Sequence, residues 1–340
     1  MSQDDKLAQM IMVEYLYTDY TTSGLQQMVA QQHVGGVLYQ PDGNNNWDSN
    51  TTIASVNAFS AQIHADDITA PLIAIDQEGG VVSKTSLLFG GTPSAEQLAE
   101  TGYPTQAYNQ AKTDVSQLKQ LGINVDLAPV VDVGPDTTQY GSRFFSADPN
   151  TVATYAGAFL KGLQENGIVG TLKHFPGLGS SNDVDPHNGL PTVTKSLSDL
   201  QQSDFLPYQQ IIQQDNPAMV MVTDVETQAL DQNNPAELSS NVIKYLRKNL
   251  GFNGVIITDN ITMKGLYNGY DPTPSQVIQS AVQAVEAGDD IVEGPASPDT
   301  VNSIITAMKT AIQQGNLSQS QIDQAVMRIL LMKIQYGIIK

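Results

Sequence analysis

Apolar residues fall along this chain in short, nearly unbroken runs rich in β-branched side chains. They occupy residues 11–16, 36–39, 72–75, 125–133, 169–172, 219–222, 255–257 and 291–292. A strand with one wet face alternates apolar and polar positions; these runs do not, so they predict strands buried on both faces, as in a parallel sheet covered by helices. The stretches between them have the other period. Residues 153–166, 242–250 and 277–287 carry apolar side chains at intervals of three and four, the spacing that lines one face of a helix. Gly102, Gly122, Gly167, Gly251, Gly288, Gly315 and Gly337 stand where such segments close, as expected if the chain needs a left-handed residue after the last helical turn. Eight strand signals alternating with helices predict an α/β fold, a (β/α)8 TIM-type barrel, over a doubly wound sheet. The eighth signal, in DDIVEG, is the shortest, and a seven-stranded or locally irregular barrel is the alternative.

Length and composition narrow the picture. At 340 residues the chain is long enough for two domains, but α/β barrels run past about 250 residues as one. No linker, low-complexity tract or charge run divides it, so one domain over residues 1–340 is expected. The 35 acidic residues against 16 basic ones, a net charge of −19, argue against nucleic acid or an anionic membrane as partner. The absence of cysteine excludes disulfides, thiol catalysis and thiolate metal sites. No apolar run reaches the roughly 18 residues of a membrane span, so no membrane insertion is expected. Met1 to Lys6 is too polar to open a signal peptide. The expected location is the cytoplasm for the chain as given, or the cell surface or exterior if a signal or anchor precedes it. A small-molecule substrate is the expected partner, and the expected state a monomer or weak homo-oligomer.

Barrel enzymes carry their chemistry on the loops that follow the C-terminal strand ends. The polar residues found there are Asp76 in IAIDQEGG, Asp126 and Asp132 in NVDLAPVVDV, Arg143 in GSRFF, Lys173 and His174, Asp185 and His187, Asp224, and Asp259. A lone Asp after a strand is a helix cap more often than a catalyst. Six loops with the same habit point to a site. The richest is residues 173–191, KHFPGLGSSNDVDPHNGLP, which holds a Lys, two of the four His and two Asp. Each residue has a plainer competitor: His187 as a surface histidine, His174 as a hydrogen-bonded core residue, Lys173 as a Schiff-base lysine. No HExxH or paired His at helical spacing occurs, so neither metal nor other cofactor is expected. The loop at residues 40–50, QPDGNNNWDSN, carries the only Trp, Trp47, and reads either as an ordinary turn-rich loop or as a sugar-stacking platform.

Taken in order, DQEGG at 76–80, VDLAPVVDV, GSRFF, KHFPG at 173–177, the Asp185 and His187 pair ahead of GLP, and GFNGVIITDNITM at 251–263 resemble the blocks of glycoside hydrolase family 3, specifically its short β-N-acetylhexosaminidases. The resemblance covers essentially the whole chain. It implies a retaining enzyme that releases terminal β-linked N-acetylglucosamine from peptidoglycan fragments or chitin oligosaccharides through a covalent glycosyl-enzyme. It further implies that Asp259 is the nucleophile and His187 the general acid/base, with Asp185 orienting the imidazole. Asp76, Arg143, Lys173 and His174 would bind the hydroxyls and N-acetyl group of the sugar. An unperturbed imidazole titrates near pH 6.5, which lets it give a proton to a leaving oxygen and later take one from water. Retaining glycosidases usually employ two carboxylates, so His in this role rests on the resemblance alone.

The chain departs from the family pattern in three places. Val81 stands where an Arg commonly follows QEGG, which removes a charge near the pocket. The loop reads GLGSSND, with Leu178 for His, Ser180 for Asp and one apparent extra residue. Thr223 and Asp224 replace the common Ala-His. The alternatives are a β-glucosidase or N-acetylglucosamine phosphorylase of the same family, a Schiff-base barrel lyase, and a non-catalytic sugar-binding barrel. Asp183 and Asp224 are the runners-up for the acid/base.

Overall fold

The structure, a computed structural model, describes all residues except 16–19, 22–23, 41–46, 67–68, 136–139, 183 and 340. Eight parallel strands close into a barrel: β1 (Ile11–Tyr15), β2 (Gly36–Tyr39), β3 (Leu72–Ile75), β4 (Val125–Asp126), β5 (Val169–Phe175), β6 (Met219–Val222), β7 (Val255–Asn260) and β8 (Ile291–Glu293). Sequential strands are neighbours, and the short eighth segment closes the ring through Ile11 opposite Val292 and Met12 opposite Glu293. The seven-stranded alternative is therefore excluded.

The runs at 36–39, 72–75 and 219–222 are strands residue for residue. The first run was expected to reach Leu16; β1 ends at Tyr15, and residue 16 lies outside the described residues. The long run at 125–133 yields only two ladder residues. Pro129 has no N–H to donate, and beyond Asp126 regular pairing gives way to scattered backbone hydrogen bonds, Thr171 to Ala128 and Val131 to Lys173 among them, with one isolated bridge, Val130 to Lys173. Conversely, β5 and β7 outrun their apolar signals. They continue through Lys173, His174 and Phe175, and through Thr258, Asp259 and Asn260. A polar residue at a strand end still makes ladder hydrogen bonds, and hydropathy does not register it.

Helices wrap the barrel, and their ends carry the expected chemistry. Asp148 caps Pro149–Gln164 by accepting from the Thr151 amide, and Thr273 forms a capping box with Gln276 at the start of Pro274–Ala287. Gly122 and Gly288 close their helices at φ 75° and 120°, a region costly for any residue with a Cβ. Gly162 serves packing. A Cβ there would meet the Tyr108 carbonyl and the Ala111 methyl, so glycine is what allows Pro149–Gln164 to sit against Pro104–Leu121. The helix expected over 242–250 is α only at Ser240–Lys244 and then widens to a π turn at Tyr245–Asn249. That turn carries Arg247, whose guanidinium donates to the carbonyl of Phe252 and to Asp290. No helix among the described residues is long and apolar enough to cross a membrane.

Candidate active site

At the C-terminal ends of the strands lies a cavity of about 650 Å³, within the range of small-molecule sites. Asp76, Arg143, Lys173, His174, Asp185, His187 and Asp259 all line it. Their order along the chain spans most of the barrel; only closure of the sheet brings them together.

The floor is an ion-pair ladder. Lys173, at the end of β5, donates to Asp76 at 2.6 Å and lies 2.7 Å from Glu78. Arg143 grips the same Glu78 with two hydrogen bonds, 2.7 and 2.9 Å, and its guanidinium lies 3.4 Å from His174 Nε2. His174 Nδ1 in turn pairs with Asp132 at 2.7 Å, and Asp132 also accepts from the Leu178 amide. The side chains of Glu78 and Lys173 are each 3% exposed, so the pairing takes place in a low dielectric. Burial by itself would raise the Glu78 carboxyl, but the adjacent Arg143 and Lys173 charges outweigh it and hold the group well below the usual carboxylate range. Burial would likewise lower Lys173, and Asp76 and Glu78 raise it above the ordinary lysine value. An ammonium held this way is a hydrogen-bond donor, not the neutral amine that a Schiff-base lysine requires.

Glu78 was not among the candidates. It stands inside the quoted DQEGG block, but its partner Arg143 is 65 residues away, and no local signal joins them.

His187 and Asp185 sit on the loop that follows β5. Asp185 Oδ1 accepts from both the backbone N–H of His187 and its Nδ1, at 2.9 and 2.8 Å. These hydrogen bonds overcome the effect of partial burial and lower the Asp185 carboxyl. The His187 side chain is 73% exposed, so the pair meets solvent at the cavity mouth. The loop is tied down on both sides. Ser180, in the place of the family's Asp, donates to the buried Asp204 at 2.7 Å, the Tyr140 hydroxyl donates to the Val184 carbonyl, and the Gly265 amide donates to the Pro186 carbonyl at 2.9 Å. A Cβ on Gly265 would collide with the Asp224 carboxyl and come within 2.8 Å of the Pro186 oxygen. Glycine is thus the joint between this loop and the one after β7.

Asp259, near the end of β7, accepts from the Thr223 hydroxyl at 2.6 Å through one oxygen and from the Asn260 amide at 2.9 Å through the other. The cations Lys173 and Arg143 pair with Asp76 and Glu78, and around Asp259 stand buried carboxyls. Glu237, fully buried, accepts from the Asp259 backbone N–H at 3.1 Å, and Asp224 lies within hydrogen-bonding reach of Thr223. Burial first, and then the charge of neighbouring acids including Asp259, pushes Asp224, Glu237 and Glu293 well above their ordinary ranges. In this setting the neutral forms of these acids are favoured.

Two further candidates fall elsewhere. Asp224 is wholly buried and does not line the cavity, which removes it as the alternative acid/base. Asp126 is also buried and accepts from the Gln77 amide. Asp183 lies outside the described residues. In the tryptophan loop, Trp47 lines the cavity, while residues 41–46 are outside the described set. Val81 is exposed on the cavity wall, and the absent arginine leaves Asp76 fixed by Lys173 instead.

The Glycosyl hydrolase family 3 N terminal domain matches residues 2–332. Beta-hexosaminidase LpqI of Mycobacterium tuberculosis is 34% identical over 98% of this chain and 83% of its own length. Beta-hexosaminidase A of Pseudoalteromonas piscicida is 29% identical over 91% of this chain, which spans 54% of that protein. Among solved structures, a family 3 beta-N-acetylglucosaminidase from Paenibacillus superposes with a TM-score of 0.89 at 29% identity, covering 99% of this chain and 63% of that one. M. tuberculosis LpqI superposes at 0.85 with 33% identity, covering 98% of this chain and 94% of that one.

Proposed function

The chain belongs to glycosyl hydrolase family 3, and from that premise we propose that its barrel, residues 1–340, is a retaining exo-β-N-acetylhexosaminidase that releases terminal β-linked N-acetylglucosamine. The observation that carries this reading is one cavity lined by a strand-end carboxylate, an Asp–His pair at its mouth and a buried ladder of donors at its floor.

In the first step Asp259 attacks the anomeric carbon, the bond to the leaving oxygen breaks, and His187 delivers its proton to that oxygen. In the second, water attacks the same carbon, His187 takes the water's proton, and the Asp259 carboxylate is released. The supports of Asp259 suit the role. Two hydrogen bonds aim its oxygens, and burial of the acids behind it favours their neutral forms, which limits repulsion of the anion. Asp185 fixes the tautomer of His187, whose exposure lets it exchange protons with solvent between steps. Lys173, Arg143, His174 and Asp76 then hold the hydroxyls and the acetamido group.

A panel of p-nitrophenyl β-glycosides, with and without phosphate, tests the class and the sugar together. A fluorinated mechanism-based glycoside should label the peptide holding Asp259, and Asp259→Ala should lose roughly 10³-fold or more in rate. His187→Ala should slow substrates with poor leaving groups far more than aryl glycosides, and azide should partly restore the latter. Labelling at another carboxyl, or equal slowing of all substrates without azide rescue, would refute the assignment.

A further inference from the structure

The floor of the cavity is closed by buried side chains, Glu78, Lys173, His174 and Glu293. In such a dead end the terminal sugar enters first and the rest of the glycan leaves through the mouth, so the mouth selects the leaving group. Two aliphatic side chains stand there in water, Val81 at 78% and Leu87 at 55% exposure, on the same cavity as His187. Exposed aliphatic groups of this kind suit the apolar face of a sugar ring and offer nothing to an anion.

The charge around them points the same way. Six carboxyl side chains line the cavity against three basic ones, and with burial favouring the neutral form of Glu293 five remain against the three. Of the three, Lys173 and Arg143 are already paired with Asp76 and Glu78, and Lys84 is half-buried. Asp185, across the imidazole of His187 from the nitrogen that faces the leaving oxygen, is an anion held by its hydrogen bonds from His187. A carboxylate on the leaving group would therefore enter a site with a surplus of its own charge.

Resting on the hydrolase reading above, we propose that the mouth formed by Val81, Leu87 and the Asp185–His187 pair selects electrically neutral leaving groups. The favoured class is a chitin-type N-acetylglucosamine unit, and leaving groups that carry a carboxylate, such as the lactyl ether of N-acetylmuramic acid, are rejected.

The test compares kcat/KM on three disaccharides with the same β-1,4 bond: N,N′-diacetylchitobiose, N-acetylglucosaminyl-N-acetylmuramic acid, and the methyl ester of the latter. At low ionic strength the chitobiose and the ester should be cleaved about tenfold faster than the free acid, the size of one like-charge contact only partly screened by solvent. High salt should shrink that gap. Val81→Arg should narrow it by speeding the free acid. The proposal is overturned if the free acid is cleaved as fast as chitobiose, if the ester is as slow as the acid so that bulk and not charge discriminates, or if no disaccharide is cleaved while p-nitrophenyl N-acetylglucosaminide is. Failure of the hydrolase reading shows separately, as no release from the aryl glycoside at all, and takes this proposal with it.

Discussion

Glu78 gives the sharpest test of how the site is built. Its carboxylate is the shared counter-ion of Lys173 and Arg143, with contacts of 2.7 to 2.9 Å and only 3% of its side chain exposed. Glu78→Ala leaves Lys173 with Asp76 alone and takes from Arg143 both of its carboxylate hydrogen bonds. Breaking a buried pair by removing one partner costs about 3 to 5 kcal/mol, because the remaining charge is left uncompensated. For 340 residues at about 2.1 cal/mol/K each, that corresponds to a fall in Tm of roughly 4 to 7 °C. Glu78→Gln keeps the shape and one acceptor and should lie between the two. The sign with pH follows from the lowered carboxyl: its stabilisation is fully present above the unfolded value of about 4.3 and is lost as pH falls through the folded one. The Tm difference between wild type and Glu78→Gln should thus be constant from about pH 5 to 8 and shrink below about pH 4. Calorimetry across that range, with kcat/KM on an aryl N-acetylglucosaminide, is the assay. Activity should drop about 10- to 100-fold, since Lys173 and Arg143 lose the group that aims them. A Tm within about 1 °C of wild type, or a difference that grows in acid, would refute the ladder as the organising element.

Two other expectations follow from particular residues. Gly265→Ala forces a Cβ into the Asp224 carboxyl and the Pro186 carbonyl, so it should cost about 1 to 3 kcal/mol and lower kcat on poor leaving groups by moving the His187 loop; unchanged kcat with chitobiose would sink this. Burial pushes the Asp114 carboxyl up to about 7, so its penalty is absent below the unfolded value near 4, grows as pH rises, and levels off above pH 7. Asp114→Asn should therefore gain stability relative to wild type as pH rises from about 4 to 8, and chemical denaturation at those two pH values decides it.

Much of this protein was legible from its chain. Buried parallel strands are continuous apolar runs, so β2, β3 and β6 could be read to the residue, and the barrel followed from their alternation with helical segments. Seven of the ionisable residues that line the cavity were legible too, because such groups at the ends of buried strands have no reason of packing to be there; Glu14, Glu78, Lys84 and Glu293 were not. Hydropathy failed where hydrogen bonding and burial part company: β5 and β7 run on through Lys173 and Asp259, and the run after Asp126 loses regular strand pairing although it stays largely apolar.

What only the tertiary structure decided is who faces whom. Glu78 between Lys173 and Arg143, Thr223 on Asp259, and Gly265 against the His187 loop are contacts between segments far apart in the chain. Asp224 looked like a site residue and is a buried acid sealed behind one, its carboxyl pushed up by burial. A sequence states which groups are ionisable; whether each is paired, neutral or open to water depends on the charges and the dielectric that closure of the barrel puts around it.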